Sequence, residues 1–201
     1  MNLRSKSLDM LQRNLDVIVE IEELYPQDAF QRLLDYTAYR LGVKDAVAAF
    51  NNKTFDHLNK NFKMDMLHFQ TWDWFGELYE RIYQPSVPLS HKKSLDKHVH
   101  ATIQMIEANH DNFPSTILDR HIGTGRLILL VHSAIPRDVL YYGVEHSLLP
   151  YQICLVNMKL FNIPAKILYH SDNRPIDIRS GSSNWLKANW WKPYTADKLN
   201  R

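Results

Sequence analysis

Residues 119–126 read D-R-H-I-G-T-G-R and run directly into the apolar residues L-I-L-L-V at positions 127–131. Two glycines spaced G-x-G allow the backbone to approach a ligand closely, because neither carries a Cβ and both tolerate a positive φ. The apolar run predicts a helix that begins at the loop, and N–H groups at a helix start favour an anionic or strongly polar ligand. The stretch therefore predicts a strand, a glycine loop and a helix start.

Two further apolar segments follow at the spacing of a repeated strand–helix unit. Residues 141–145 read Y-Y-G-V-E and end in Glu145, and residues 165–169 read A-K-I-L-Y and lead to Asp172. A helix-like stretch at residues 148–161 separates them. In doubly wound sheets, ligands lie across the carboxyl ends of the strands, and an acid about 20 residues past the glycine loop accepts hydrogen bonds from ribose hydroxyls. We therefore predict a β-α-β-α-β series and a nucleoside-containing ligand.

This part of the chain resembles the adenine-specific DNA methyltransferases of the modification-subunit type found in type I restriction systems. The pattern of that family runs roughly D-P-A-C-G-S-G, then Y-G-x-D/E, then an acid after the third strand. The matching residues are Asp119, Gly123, Gly125, Arg126, Gly143, Glu145, Asn157 and Asp172. Residues 73–80, D-W-F-G-E-L-Y-E, also resemble the D-x-x-G-x-x-Y-E helix that precedes the cofactor domain in those subunits. The resemblance covers roughly residues 65–194.

The resemblance implies a fold for S-adenosylmethionine, with Glu145 on the ribose and Asp172 near the adenine ring. The cofactor-binding residues that it implies are Asp119, Gly123, Gly125, Glu145 and Asp172. Before the glycines the family has small residues, whereas this chain has Arg120, His121 and Ile122, which are large enough to crowd the methionine part of the cofactor. After Tyr83, the chain reads Q-P-S-V-P in place of the family segment that helps to cover the cofactor.

The catalytic motif departs furthest from the family. In the family, N-P-P-aromatic holds an extruded adenine: the Asn side chain and a proline carbonyl accept hydrogen bonds from the amino group, and the aromatic ring stacks on the base. The corresponding residues 187–194 read K-A-N-W-W-K-P-Y, in which Asn189 and Tyr194 are the matching types. Four residues separate them instead of two, and the paired prolines are absent. The expected catalytic residues therefore form a degenerate motif.

The predicted fold class is α/β: an N-terminal helical region plus a shortened Rossmann-like S-adenosylmethionine-dependent methyltransferase sheet. We place the helical region at residues 1–110 and the truncated methyltransferase-like domain at residues 111–201. Two apolar stripes at helical spacing predict the first two helices, one ending before Pro26 and the other at Gly42. Their residues are Leu8, Leu11, Leu15, Ile18 and Ile21, then Phe30, Leu33, Leu34, Thr37 and Leu41. Further helices are expected at residues 44–50, 65–83 and 94–108, with a loop or frayed helix at 50–63.

A complete methyltransferase sheet needs more strands than the three or four that fit between Ile117 and Lys187. An exposed central strand invites association, so the N-terminal helices, a second copy of the chain or a partner protein must cover it. A cluster of aromatic residues lies at this boundary: Trp185, Trp190, Trp191 and Tyr194. We expect residues 184–194 to pack on the N-terminal helices or, in preference, across a homodimer interface.

The composition of the chain excludes some classes of protein but does not identify its function. At 201 residues and 45% hydrophobic content, the chain suits one domain or two small ones. No apolar stretch approaches about 18 residues, and the amino terminus lacks the apolar core of a signal peptide, so a cytoplasmic protein without a membrane partner is expected. Cys154, the sole cysteine, is expected to be a buried thiol. A net charge of +2 is compatible with DNA but does not select it as a partner.

Other polar groups have ordinary explanations. Glu77 and Glu80 share a helix with Arg81, which predicts a solvated ion-pair face. Several histidines occur without a cysteine or an H-E-x-x-H arrangement, so we predict surface histidines and no metal site. These histidines are His91, His98, His100 and His110.

Three functional hypotheses remain open. The leading one is a degenerate member of the adenine DNA methyltransferase lineage, which has kept the fold and a nucleoside pocket and acts by binding. The second is an active S-adenosylmethionine-dependent methyltransferase subunit that a partner chain completes. The third is a structural or interaction protein, a homodimer with an empty pocket. Cofactor titration separates the first two from the third, and a methyl-transfer assay separates the first from the second.

Overall fold

A computed structural model describes residues 3–45, 50–84, 97, 100–105, 108, 116–134 and 139–169. The chain divides into two compact units, Met1–Val87 and Pro88–Arg201. The first contains helices and the second contains a small parallel sheet, so the α/β fold class is as predicted. The predicted domain boundary at residue 110 stays a prediction.

The first unit is built from helices, and the first two of them bury most residues of the two predicted apolar stripes. The helices are α1 (Leu3–Glu22), α2 (Pro26–Arg40), α3 (Asn52–Asn61), α4 (Asp65–His68) and α5 (Trp74–Tyr83). Leu11, Ile18 and Phe30 are fully buried between them. Pro26 stands in the first turn of α2, where its missing N–H costs nothing, and Gly42 ends that helix region with a φ of 67°.

Residues 65–83 form two helices, so the prediction of a single helix there is wrong. Asp73 begins α5, because its Oδ1 accepts a hydrogen bond from the backbone N–H of Gly76 at 2.9 Å. A Cβ at Gly76 would collide with the Asp73 carboxylate, so the glycine leaves room for the cap. The D-x-x-G spacing is therefore the signature of a helix start.

The remaining helix predictions have mixed outcomes. Residues 52–61 form a regular helix, and Asn51 caps it by accepting a hydrogen bond from the N–H of Lys53 at 2.9 Å. Of the helix expected at 94–108, residues 97, 100–105 and 108 are helical. The helix expected at residues 44–50 falls mainly on positions 46–49, outside the described residues.

Glu77 is buried, so its predicted place on a solvated face is wrong. Its Oε2 accepts hydrogen bonds from Arg4 at 3.0 Å and Trp72 at 2.9 Å, and its Oε1 accepts one from Arg81 at 3.0 Å. The Arg4 guanidinium also lies 3.6 Å from the centroid of the Trp72 ring. Burial raises the pKa of Glu77, but the hydrogen bonds from Trp72, Arg4 and Arg81 and the charge of Arg4 together outweigh it, and the pKa lies below its ordinary value. Glu77 thus ties α1 to α5.

The second unit contains a parallel sheet in the order β1-β2-β3. Its elements are β1 (Thr116–Asp119), α6 (Arg126–Ala134), β2 (Leu140–Glu145), α7 (Leu148–Leu160) and β3 (Ala165–Tyr169). The register pairs Asp119 with Gly143 and Glu145 with Tyr169, so the carboxyl ends of the strands lie at one edge of the sheet. The predicted β-α-β-α-β series is confirmed.

Helix α7 forms the centre of this unit. All its residues from Tyr151 to Met158 are buried, as expected of a crossover helix packed on a parallel sheet. Cys154 lies on this helix as a buried thiol, as predicted. No helix in the described ranges has the length and apolar content needed to cross a membrane.

Two polar side chains, His132 of α6 and Tyr141 of β2, are in contact. The rings of His132 and Tyr141 approach edge to face with centroids 5.8 Å apart. Among the residues that the structure describes, neither His132 Nδ1 nor the Tyr141 hydroxyl finds a hydrogen-bond partner, although both atoms are buried. Burial lowers the pKa of His132 and raises the pKa of Tyr141 to about 12. The folded unit therefore favours the neutral form of both side chains.

We expect the free energy of unfolding of this unit to fall as the pH is lowered from about 7 to about 5. In that range the unfolded chain protonates His132 near its ordinary pKa of about 6.5, while the folded unit still resists protonation, so the unfolded state binds more protons. His132→Phe keeps a ring against Tyr141 but cannot be protonated, and should flatten this slope in urea titrations at several pH values. An equal slope in both proteins would contradict the assignment.

Candidate functional site

The glycine loop connects β1 to α6 at the carboxyl edge of the sheet. Gly123 has a φ of 55° and Gly125 a φ of 84°, which is the left-handed region that favours glycine. The Gly125 N–H donates to the carbonyl of Ile122 at 2.9 Å, and the Gly125 carbonyl accepts from the N–H of Leu129 at 3.0 Å. The loop therefore closes directly into the first turn of α6, as the sequence predicts.

Helix α7 supports the loop from the inside of the unit. A Cβ at Gly125 would lie 2.8 Å from Cε of Met158 and 3.0 Å from Sγ of Cys154, so a larger residue would force these side chains to shift. Asn157, which is fully buried, donates from Nδ2 to the carbonyl of Thr124 at 2.8 Å. The family pattern matched Asn157 without giving it a role, and the structure shows that it holds the loop in place.

Glu145 lies at the end of β2 and faces the loop. Its Oε2 accepts a hydrogen bond from the N–H of Gly123 at 2.9 Å. Its Oε1 accepts from the N–H groups of His146 at 2.9 Å and Ser147 at 2.7 Å. Two predicted site residues that are 22 positions apart in sequence are therefore in direct contact.

Asp119 lies at the end of β1, beside the same loop. Its Oδ1 accepts a hydrogen bond from the N–H of His121 at 2.9 Å, which turns the chain away from the strand. The rings of His121 and His146 lie with centroids 5.9 Å apart, one on the loop and the other after β2.

The structure thus brings together most of the predicted cofactor-binding residues at one edge of the sheet. These residues are Asp119, Gly123, Gly125 and Glu145. The remaining predicted site residues, namely Asp172 toward the adenine and the catalytic pair Asn189 and Tyr194, lie outside the described residues.

Ile122 does not crowd the ligand side of the loop, so that expectation is wrong for this residue. Its N–H donates to the carbonyl of Val144 at 3.1 Å, and its side chain is only 4% exposed. A Cβ at Gly143 would collide with Cδ1 of Ile122. The Ile122 side chain therefore packs on the sheet over Gly143, whereas Arg120 and His121 are exposed. Sequence alone could not show this, because side-chain direction in a loop follows no period.

No group of three or more His, Cys, Asp or Glu side chains is placed to hold a metal ion within the residues that the structure describes. Among the histidines considered for a metal site, His100 is described and is exposed.

The edge combines two features that suit the two halves of a nucleoside with a charged tail. The first turn of α6 provides the positive end of a helix dipole, which favours a carboxylate or phosphate. Glu145 provides a carboxylate on the neighbouring strand, which can accept hydrogen bonds from ribose hydroxyls. This arrangement can bind and orient a nucleoside with a charged tail.

Comparison with solved structures relates this arrangement to a known fold. A crystal structure of a protein from Listeria monocytogenes, described as a class I S-adenosylmethionine-dependent methyltransferase, matches 87% of this chain with a TM-score of 0.59 and 14% sequence identity. The chain has a class I methyltransferase fold. It spans 56% of the length of that protein, and at this identity the likeness concerns the fold alone. No protein-family model and no curated protein sequence matches the chain.

Proposed function

We propose that the protein binds S-adenosylmethionine, or a related nucleoside, at the carboxyl edge of its sheet. We further propose that it is a degenerate relative of the adenine DNA methyltransferases that acts by binding. The observation that carries the proposal is the contact between Gly123 of the glycine loop and Glu145 of β2, on a class I methyltransferase fold.

The geometry supports the binding of a nucleoside in two ways. The glycine loop precedes a helix of nine residues, whose first turn lies beside the strand ends. Ligands of doubly wound sheets lie at this edge, with the acid of the second strand on the ribose. The expected adenine contact, Asp172, follows the carboxyl end of β3 in sequence by three positions.

We expect S-adenosylmethionine or S-adenosylhomocysteine to raise the melting temperature, because a ligand of the native state stabilises it by mass action. Glu145→Ala should weaken binding by about 1–3 kcal/mol, the cost of leaving buried ribose hydroxyls without an acceptor. The measurement is the ligand-induced thermal shift of each protein. A suitable control is Glu20→Ala, which removes an exposed carboxylate of α1 and should leave the shift unchanged. The absence of any shift at millimolar ligand would contradict the proposal.

A methyl-transfer assay separates this proposal from an active subunit that a partner completes. The expanded spacing of Asn189 and Tyr194 does not match the motif that holds an extruded adenine, and methyl transfer depends on near-attack geometry. The isolated chain should therefore leave duplex DNA unmethylated. Incorporation of labelled methyl groups, lost in Asn189→Ala, would favour the active subunit.

One observation favours an additional role in assembly. Leu118 of β1 is 42% exposed, and β1 alternates between exposed and half-buried residues, unlike the more buried β2. Among the described strands, β1 pairs with β2 alone. A second copy of the chain is our preferred cover for this edge. Light scattering tests the idea, since Trp190→Ala combined with Trp191→Ala should dissociate or unfold a dimer, and a stable monomer indifferent to both changes would refute it.

A further inference from the structure

The hydrogen bonds of Glu145 leave little room for a ribose. A carboxylate offers about four acceptor positions, two on each oxygen. Both positions on Oε1 are taken by the N–H groups of His146 and Ser147, and Gly123 takes one position on Oε2. A ribose that donates from both vicinal hydroxyls needs two positions, so it competes with a backbone group that is already bound.

Of these three hydrogen bonds, the one from the Gly123 N–H is the most easily broken. The neighbouring loop residues are held by bonds that do not involve Glu145: Ile122 N–H to the Val144 carbonyl, and Asn157 to the Thr124 carbonyl. Around Gly123, no heavy atom of the described residues other than Gly123 and its two chain neighbours lies within 4 Å of the position that a Cβ would take. The peptide unit that carries the Gly123 N–H also carries the Ile122 carbonyl, which accepts from Gly125 at 2.9 Å. If that peptide rotates, both bonds open together.

The hydrogen bonds from the N–H groups of His146 and Ser147 to Glu145 are harder to replace. Both donors follow Glu145 directly in the chain, and the turn that they form leads into α7. Because these two bonds are local to the turn, a movement of the glycine loop leaves them in place. The two oxygens of Glu145 therefore differ: Oε1 is part of a fixed turn, and Oε2 holds a loop.

We propose that Glu145 is a positioning residue that latches the glycine loop in the ligand-free protein, and that a ribose diol replaces Gly123 at Oε2 when a nucleoside binds. The latch is a property of the free protein, while the replacement rests on the proposed function. Ligand binding and loop release are then one event, and the free loop is held in a single arrangement until a diol arrives.

The latch is tested on the ligand-free chain by amide hydrogen exchange, read by NMR at single residues. Glu145→Gln should accelerate exchange of the Gly123 amide by more than about tenfold, because a charge-assisted hydrogen bond is lost. The Ile122 amide, which donates to Val144, should keep its rate and thereby show that the sheet is intact. Asp119→Asn is the matched control: it should accelerate His121 and leave Gly123 unchanged.

A second variant guards against unfolding. Glu145→Asp keeps the charge but shortens the side chain by one methylene, so it should release Gly123 while the sheet amides stay protected. Rapid exchange of Gly123 in the natural chain, or a Gly123 rate that neither variant changes, would overturn the latch.

The replacement is tested by adding S-adenosylhomocysteine to the natural chain. Exchange at Gly123 and Gly125 should accelerate together, while Ile122 stays protected. Binding with undiminished protection of Gly123 would overturn the replacement and leave the proposed function intact. A failure to bind would overturn the proposed function and the replacement with it, while the latch would still be judged by the ligand-free measurement alone.

Discussion

Gly143→Ala should destabilise the α/β unit by about 3 kcal/mol, near the upper end of what overpacking usually costs, although it adds a single methyl group. In most strands a change from glycine to alanine is mild, because glycine itself weakens a strand. At Gly143, however, the new Cβ would collide with Cδ1 of Ile122 and lie 3.0 Å from Cδ1 of Ile167. Both neighbours are buried and have little freedom to move. Chemical denaturation of the variant and the natural chain measures the effect.

The contact between Gly143 and Ile122 can be isolated with a double-mutant cycle. Ile122→Ala removes the obstructing atoms and by itself costs about 2–4 kcal/mol for the lost burial. If the collision is the cause, the two changes together should cost less than the sum of the single changes by more than about 1 kcal/mol. Gly42→Ala is the matched control, because Gly42 has open space around it and should lose only the benefit of glycine at a positive φ. Additive single effects would show that the collision is not the cause.

Trp74→Ala should destabilise the helical unit by about 3–5 kcal/mol. Trp74 is fully buried at the start of α5, and its indole N–H donates to the carbonyl of Leu67 at 2.9 Å. Its removal leaves both a cavity and a carbonyl without its donor. Because single domains are stable by only about 5–15 kcal/mol, this loss is a large part of the total. Urea titration followed by circular dichroism gives the value.

The neighbouring tryptophan provides the comparison. Trp72 is half-buried and contacts Arg4 and Glu77, so Trp72→Ala removes a hydrogen bond and a stacking contact but opens a smaller cavity. Trp74→Phe, which keeps most of the ring and loses the donor to Leu67, should fall between the two alanine variants. An equal loss for Trp72→Ala and Trp74→Ala would refute the central place of Trp74 in this core.

Much of the sheet could be predicted from the sequence, because the patterns that indicate its strands, turns and helices are local. The apolar runs at 141–145 and 165–169 and the helix-like stretch between them each lie within one window of sequence. The G-x-G spacing likewise reports a turn, and both glycines have the positive φ that this requires. The prediction that Gly123 and Glu145 belong to one site followed from a rule about strand ends, whereas their direct hydrogen bond was not predicted.

The predictions that failed concern contacts between residues far apart in the sequence, or the direction in which a side chain points. Arg81 lies one helical turn from Glu77 and suggests an exposed pair, but the buried state of Glu77 depends on Arg4, which is 73 positions away. The break before α5 was hidden because the apolar spacing continues across it. The new start is marked by the hydrogen bond that the Gly76 N–H donates to Asp73. The proposed roles of Asp172, Asn189 and Tyr194 stay predictions.

The position of Cys154 gives the protein a native chemical reporter. It is the sole cysteine of the chain, and its Sγ lies 3.0 Å from the place that a Cβ of Gly125 would occupy, under the glycine loop. A thiol reagent can reach this sulfur only when the loop or α7 moves aside, and buried thiols otherwise react slowly. The labelling rate of the unmodified chain therefore reports how often the loop or α7 moves aside, without any engineered probe.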